Sequence, residues 1–189
     1  LPKEEVTKML IAMEQSGRKL MDMVEKVLDN ENHAKSEEKL NATEGYLKDL
    51  VDKVISVNEP KAILKGINLN LVDNIKKNKV ELDHTKIEIA LNNLVSNALK
   101  FTTRSGTVSL FVTFKVKDTG IGIQHNLVNK LFGLDRSSKG ISNLGTEGEI
   151  GTGLGLDVVE KYVNIHQGKV WVESEEGVGT TFFIQIPIN

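Results

Sequence analysis

Asn93, Asn97 and Lys100 are spaced four and three residues apart within ELDHTKIEIALNNLVSNALKFT. On a helix this spacing puts all three side chains on one face. Leu91, Leu94, Val95 and Leu99 fall on the other. An amide carbonyl can ligate Mg²⁺, a hard cation that prefers oxygen, and a lysine can neutralise phosphate oxygens. Taken alone, the same strip also describes an ordinary exposed polar helix face.

Three further stretches have comparable potential. In VKDTGIGI, Asp118 ends a strand, and Gly120 and Gly122 follow. A carboxylate at a pocket mouth can accept a hydrogen bond from an exocyclic amino group, and glycine lets backbone approach a flat ring without a Cβ clash. A plain strand-to-helix turn fits those residues too. In GTGLGLDVV, Gly151, Gly153 and Gly155 run into an apolar helix starting near Leu154. Free N–H groups and a positive dipole end make such a helix start an anion site. No Lys-Ser or Lys-Thr follows, as a Walker loop requires, and no clear strand precedes, as a dinucleotide fingerprint requires. In GVGTTF, Thr180 opens the last strand, and its hydroxyl reaches Asp118 if the two strands are neighbours.

The elements that must position these residues follow from periodicity. Residues 2 to about 28 read as one long helix, with Val6, Leu10, Met13, Gly17, Leu20, Val24 and Val27 in the four-three spacing of a bundle seam; a helix docked on its own domain is the alternative. Residues 29–45 are polar and read as a linker; His33 lies within them. A second helix runs from Tyr46 to about Lys65, kinked or split at Pro60. Ile67–Val72 alternates as a strand. A third helix starts near Asp83, whose side chain can cap it. TVSLFV and FKVKD are strands with almost no turn between them, so either the strand is continuous or residues are missing around Val112 and Thr113. QHNLVNKLF is a short helix and residues 133–151 a mobile loop. Residues 154–167 are helical, and KVWVES and TFFIQIPI close the chain as strands.

The 189 residues give room for one full domain and an attached element. With 39% hydrophobic and 26% charged residues the composition is that of a globular protein. A net charge of −2 gives no reason to expect nucleic acid or an anionic membrane as partner. The absence of cysteine excludes disulfides and thiolate metal sites. No apolar run approaches a membrane span. A cytoplasmic setting without direct membrane contact is therefore expected, possible anchoring of a longer protein aside; the chain opens mid-pattern, as a fragment would.

In order and context, the four stretches resemble the nucleotide-binding motifs of sensor histidine kinases, within the wider group of gyrase-, chaperone- and mismatch-repair-like ATPases. NNLVSNALKFT is similar to their N box, DTGIGI to G1, Leu131–Phe132 to a shortened F box, and GTGLGL to G2. The resemblance implies an α+β fold of two layers, a mixed sheet covered on one face by helices (the Bergerat type), preceded by a long bundle helix. Residues 1–30 would be the second helix of a dimerisation hairpin, 31–45 the linker, and 46–189 the catalytic domain, with an ATP lid at about 133–150.

Residue by residue, it implies that Asp118 binds the adenine amino group, with Thr180 assisting through water. Gly120, Gly122, Ile123, Leu131 and Phe132 would complete that end of the ATP site. Asn97 would ligate Mg²⁺, Lys100 would face phosphate, and Gly151, Thr152, Gly153, Leu154, Gly155 and Leu156 would cradle the phosphates. Arg136, with Lys139 as rival, is the candidate for the γ-phosphate. Hydrolysing relatives resemble this site but carry a water-activating Glu at the position of Asn93. An amide cannot act as general base, so the γ-phosphoryl group would pass to a protein nucleophile rather than to water. The implied partners are a response regulator receiver domain and a second copy of the chain, joined through the helical bundle. The family's acceptor histidine sits in a His-Glu-x-x-x-Pro setting, and His33, His84, His125 and His166 do not. Asp157 also stands where an apolar residue is usual. A degenerate module that binds nucleotide or a partner without transfer is the competing reading; a gyrase- or chaperone-type ATPase is disfavoured by Asn93.

Overall fold

The computed structural model describes residues 13, 17, 39–72, 79–132, 144–149, 153 and 155–187. The chain divides into two units, Leu1–Glu38 and Lys39–Asn189. The first is described only at Met13 and Gly17, both helical. Apart from these two residues, the apolar seam of the N-terminal helix, the homodimer expected through it, and His33 lie outside the described residues.

The second unit is built in the order β1 (Thr43–Tyr46), α1 (Leu47–Lys65), β2 (Asn68–Val72), β3 (Lys79–Leu82), α2 (His84–Phe101), β4 (Thr107–Phe111), β5 (Lys115–Asp118), α3 (His125–Val128), α4 (Gly155–Ile165), β6 (Lys169–Glu175) and β7 (Gly179–Gln185). A five-stranded sheet has the order β2-β4-β5-β7-β6. Among the described residues only β2 and β4 pair parallel, with α2 in the connection between them; the remaining pairs of this sheet are antiparallel. A separate antiparallel ribbon joins β1 to β3.

The asparagine-bearing helix is the centre of the packing. Ile87, Ala90, Leu91, Leu94, Val95, Ala98 and Leu99 form its buried stripe at three- and four-residue intervals. They share one core cluster with Leu50, Val51 and Val54 of α1, Val159 and Val163 of α4, and the inward residues Val108, Leu110, Val116, Phe182 and Ile184 of the sheet. Helices thus cover one face of a mixed sheet in two layers, as expected. Asp83 caps α2 by accepting from the Lys86 N–H at 3.1 Å.

Several expectations need correction. Pro60 does not split α1, which runs unbroken from Leu47 to Lys65. The linker expected through Gly45 ends earlier, because Thr43–Tyr46 pairs with Lys79–Leu82. The strands before Asp118 need no extra residues to form a hairpin. Phe114 takes a left-handed φ of 56°, closes the turn through its N–H to the Phe111 carbonyl at 2.9 Å, and buries its ring. A left-handed residue costs about 1–2 kcal/mol, which burial of a phenyl ring, about 1.5–3 kcal/mol, offsets.

Candidate functional site

Asp118 is the last residue of β5 and only 4% exposed. Its Oδ1 accepts from the Gly120 N–H at 2.9 Å and the Thr180 N–H at 3.2 Å. Oδ2 accepts no hydrogen bond among the described residues. Burial pushes the carboxyl up to about 6, against the lowering effect of the two N–H donors. A buried acid with one oxygen committed to the scaffold and the other uncommitted is prepared to accept from a ligand donor.

The pairing of β5 with β7 brings to Asp118 the backbone N–H of Thr180 rather than the hydroxyl that the sequence suggested. The Thr180 hydroxyl lies 3.0 Å from Ser174 Oγ, and Ser174 also accepts from the Ile123 N–H at 2.9 Å. Ser174, on β6, was not among the expected site residues. It ties the loop after Asp118 to the two closing strands. Gly122 is also constrained from within the protein. Its φ is 69°, and a Cβ there would run into the backbone carbonyl of Glu175. The close approach that demands glycine is made by the protein's own β6–β7 turn. Leu131 and Phe132 follow α3; the Phe132 ring meets Phe182 edge-on at 6.2 Å and so joins the core.

Asn93, Asn97 and Lys100 are all half-buried on α2. Asn93 Nδ2 donates to the Ile89 carbonyl at 2.9 Å. Its Oδ1 faces the first residue of α4, where a Cβ on Gly155 would sit 2.8 Å away. The N-box-like and G2-like stretches therefore meet at Asn93 and Gly155. Gly153 is described with φ of 75°, and Leu156 packs on the core. Gly151, Thr152, Leu154, Arg136 and Lys139 lie outside the described residues.

No hydrogen bond reaches the Asn97 amide among the described residues. No group of three or more His, Cys, Asp or Glu that could hold a metal occurs among them either. One half-buried amide oxygen beside a lysine fits Mg²⁺ that takes most of its ligands from phosphates and water. The residues present thus suit an ion delivered with its nucleotide.

The C-terminus of α2 joins three segments. Its last four carbonyls, which no helical N–H can reach, all find donors. Thr102 Oγ1 serves Ala98 at 2.7 Å. Lys65 Nζ serves Leu99 at 2.9 Å and Lys100 at 2.8 Å. Ile121 N serves Phe101 at 3.0 Å. The Thr146 N–H adds a bond to the Lys100 carbonyl at 3.1 Å. The stretch read as wholly mobile therefore contains, at 144–149, a turn fastened to the helix. The Lys100 ammonium lies 4.6 Å over the Phe101 ring; burial lowers its pKa, Glu149 raises it and Lys65 lowers it, with a net fall.

α2 acts as a ruler for the site. Phe101 holds the loop that follows Asp118, and Asn93 faces Gly155. These two points are eight residues apart, about 12 Å along the helix axis. Asn97 and Lys100 fall between them.

Among the described residues, no helix is long and apolar enough to cross a membrane. A family model, histidine kinase-, DNA gyrase B- and HSP90-like ATPase, matches residues 82–189. The chain is 31% identical over 182 residues to the circadian input-output histidine kinase CikA of Thermosynechococcus vestitus, covering 92% of this chain and 25% of that protein. It is 38% identical over 117 residues to the sensor histidine kinase WalK of Bacillus subtilis, covering 57% and 19%. The chain thus spans a quarter or less of the length of these relatives. Full-length ShkA in complex with AMPPNP superposes with a TM-score of 0.74 at 25% identity, covering 97% of this chain and 39% of that one. The nucleotide-free catalytic domain of histidine kinase ThkA superposes at 0.64 with 30% identity, covering 78% and 95%. ThkA in complex with the response regulator TrrA superposes at 0.69 with 25% identity, covering 100% and 53%. With Asp118 on the sheet, Asn93 and Lys100 on α2 and Gly155 at the start of α4, the chain belongs to the histidine kinase-, DNA gyrase B- and HSP90-like ATPase family and carries its ATP-binding, kinase-like domain.

Proposed function

We propose that this chain binds Mg²⁺·ATP between Asp118 and Gly155 and transfers the γ-phosphoryl group to a histidine carried outside it, for relay to a response regulator. The observation that carries the reading is Asp118 itself. It is a buried carboxylate with one oxygen held by two backbone N–H groups and the other directed to a donor such as the adenine amino group. A purine seated there extends its phosphates along α2 toward Lys100, Asn97 and Gly155.

Transfer breaks the bond from the γ-phosphorus to the β–γ bridging oxygen and forms one to an imidazole nitrogen, leaving ADP. Such a reaction needs positioning and charge neutralisation more than a base. Lys100 would face the phosphate oxygens, and Asn97 would hold Mg²⁺ through its amide oxygen, the ion supplying further neutralisation of phosphate charge. Asn93 cannot deprotonate water, which favours a protein acceptor over hydrolysis. Among the described histidines, His166 is buried and hydrogen-bonded through both ring nitrogens, and His84 lies 3.1 Å from the Thr43 carbonyl. Neither is presented as an acceptor; His125, the third described histidine, is exposed on α3 but lacks the His-Glu-x-x-x-Pro setting. The acceptor helix, a second copy of the chain and a receiver domain are the partners this chemistry requires, and the cytoplasm is the compartment it implies.

The test supplies the chain with Mg²⁺, γ-labelled ATP and a separate helical hairpin bearing an acceptor histidine. The reading expects labelled hairpin and little free phosphate. Nucleotide binding without transfer would favour the degenerate module; no nucleotide binding would refute both.

A further inference from the structure

Lys65 ends α1 and is 8% exposed. An ammonium has three donors, and here all three are used: by Leu99 O, by Lys100 O, and by Glu149 Oε1 at 2.5 Å. A cation at this point also suits the negative end of the α2 dipole. Glu149 is half-buried, and its second oxygen accepts from the Glu147 N–H at 2.8 Å. The turn closes on itself through Gly145 N to Glu149 O at 2.8 Å. Thr146 fastens it to α2 again, its hydroxyl donating to Lys100 O at 3.2 Å and Thr102 O at 3.0 Å. Lys65 and Glu149 are 84 positions apart in the chain, and both meet at the turn of α2 that carries Lys100.

We propose that Lys65 and Glu149 are a positioning pair for the phosphate end of the nucleotide site. They fix the entry to the glycine stretch at the C-terminal end of α2, while the contact of Gly155 with Asn93 fixes its exit two turns earlier. Both ends of the stretch that would cradle phosphate are then tied to the helix that presents Asn93, Asn97 and Lys100. Glu149 has a second effect. Its charge raises the pKa of Lys100, against the lowering by burial and by Lys65, and so favours the ammonium where phosphate must be met. Burial would raise the Glu149 carboxyl, but hydrogen bonds from Lys65 and from the turn's own N–H groups, with the Lys65 charge, hold it below the usual carboxylate range.

The proposal rests on the nucleotide reading and is separable from it by titrating two ligands. Mg²⁺·ATP and adenosine are titrated by calorimetry into the wild type and Glu149→Gln, and amide exchange is followed at Gly145 and Thr146. Glu149→Gln should weaken ATP about tenfold, the loss expected when a charge-assisted hydrogen bond becomes a neutral one. Adenosine affinity should stay within about twofold, a change of a few tenths of a kcal/mol. Exchange at the two amides should accelerate. Lys65→Met should show the same selective loss; should it fail to fold, Glu149→Gln still decides. Unchanged ATP affinity, or equal losses for ATP and adenosine, would overturn the positioning role while leaving the nucleotide reading intact. A wild type that binds neither ligand would overturn both.

Discussion

Replacing Asp118 by Asn should trade adenine binding for stability. Asn preserves shape: its oxygen can keep the bonds from the Gly120 and Thr180 N–H groups, made at 2.9 and 3.2 Å. What changes is the other atom, where an acceptor becomes an NH₂ donor. Facing the adenine amino group, it sets donor against donor. A hydrogen bond to a charged group is worth about 1.5–3 kcal/mol, and an unpaired buried donor costs about 1–3 kcal/mol more. ATP affinity should therefore fall about 100-fold or more. GTP, whose base presents a carbonyl at the corresponding position, should gain relative to ATP. Stability should move the other way. The folded carboxyl titrates at about 6 against a usual 3.8, so the folded state binds the proton more tightly. That favours folding at low pH and is lost as pH rises through about 6. Two units correspond to about 3 kcal/mol, so without ligand Asp118→Asn should be about 1–3 kcal/mol more stable than wild type at pH 8, and no more stable at pH 4. Calorimetry with ATP and GTP and urea unfolding at the two pH values read both effects. Retained preference for ATP, with no stability gain at pH 8, would refute the role given to this carboxylate.

Three further outcomes follow from the packing. Gly122→Ala should destabilise by about 1–3 kcal/mol in urea unfolding, because it joins a strained φ to a clash with the Glu175 carbonyl. Gly155→Ala should weaken ATP more than adenosine in competition binding, since its Cβ would push Asn93 Oδ1 from 2.8 Å; equal effects would remove Gly155 from the phosphate end. Burial would raise the Asp83 carboxyl, but hydrogen bonds from Lys86 and Asn41 hold it below its usual value. Its stabilising effect is therefore full at neutral pH and lost as pH falls below about 4. Asp83→Ala should cost about 1 kcal/mol as a lost helix cap at pH 7, and the gap to wild type should narrow below pH 4 in thermal unfolding.

The parts of this architecture legible in the sequence are those with long, periodic signals. The stripe from Ile87 to Leu99 declares both the buried side of α2 and, by subtraction, the polar strip of Asn93, Asn97 and Lys100. Asp83 as cap is equally local. The ribbon of β1 and β3 was hidden, because TEGY and KVEL are four residues each and too polar or too short to alternate convincingly. The Val112–Phe114 turn was hidden because a phenylalanine stands where glycine or asparagine is expected, and only tertiary burial of its ring makes that conformation tolerable. Gly122 is legible as a position of close approach, but its neighbour within the protein, Glu175, lies more than fifty residues away, and no local pattern names it. Lys65, Thr146, Glu149 and Ser174 carry no motif. Their contacts are long-range hydrogen bonds, which periodicity does not encode.

The most direct test is a structure of the chain bound to Mg²⁺ and a non-hydrolysable ATP analogue. The account predicts the adenine amino group within about 3 Å of the uncommitted oxygen of Asp118. It also predicts phosphates beside Lys100 and Gly155, with Mg²⁺ on the Asn97 amide oxygen. A nucleotide seated elsewhere, or turned so that its phosphates meet Asp118, would contradict it.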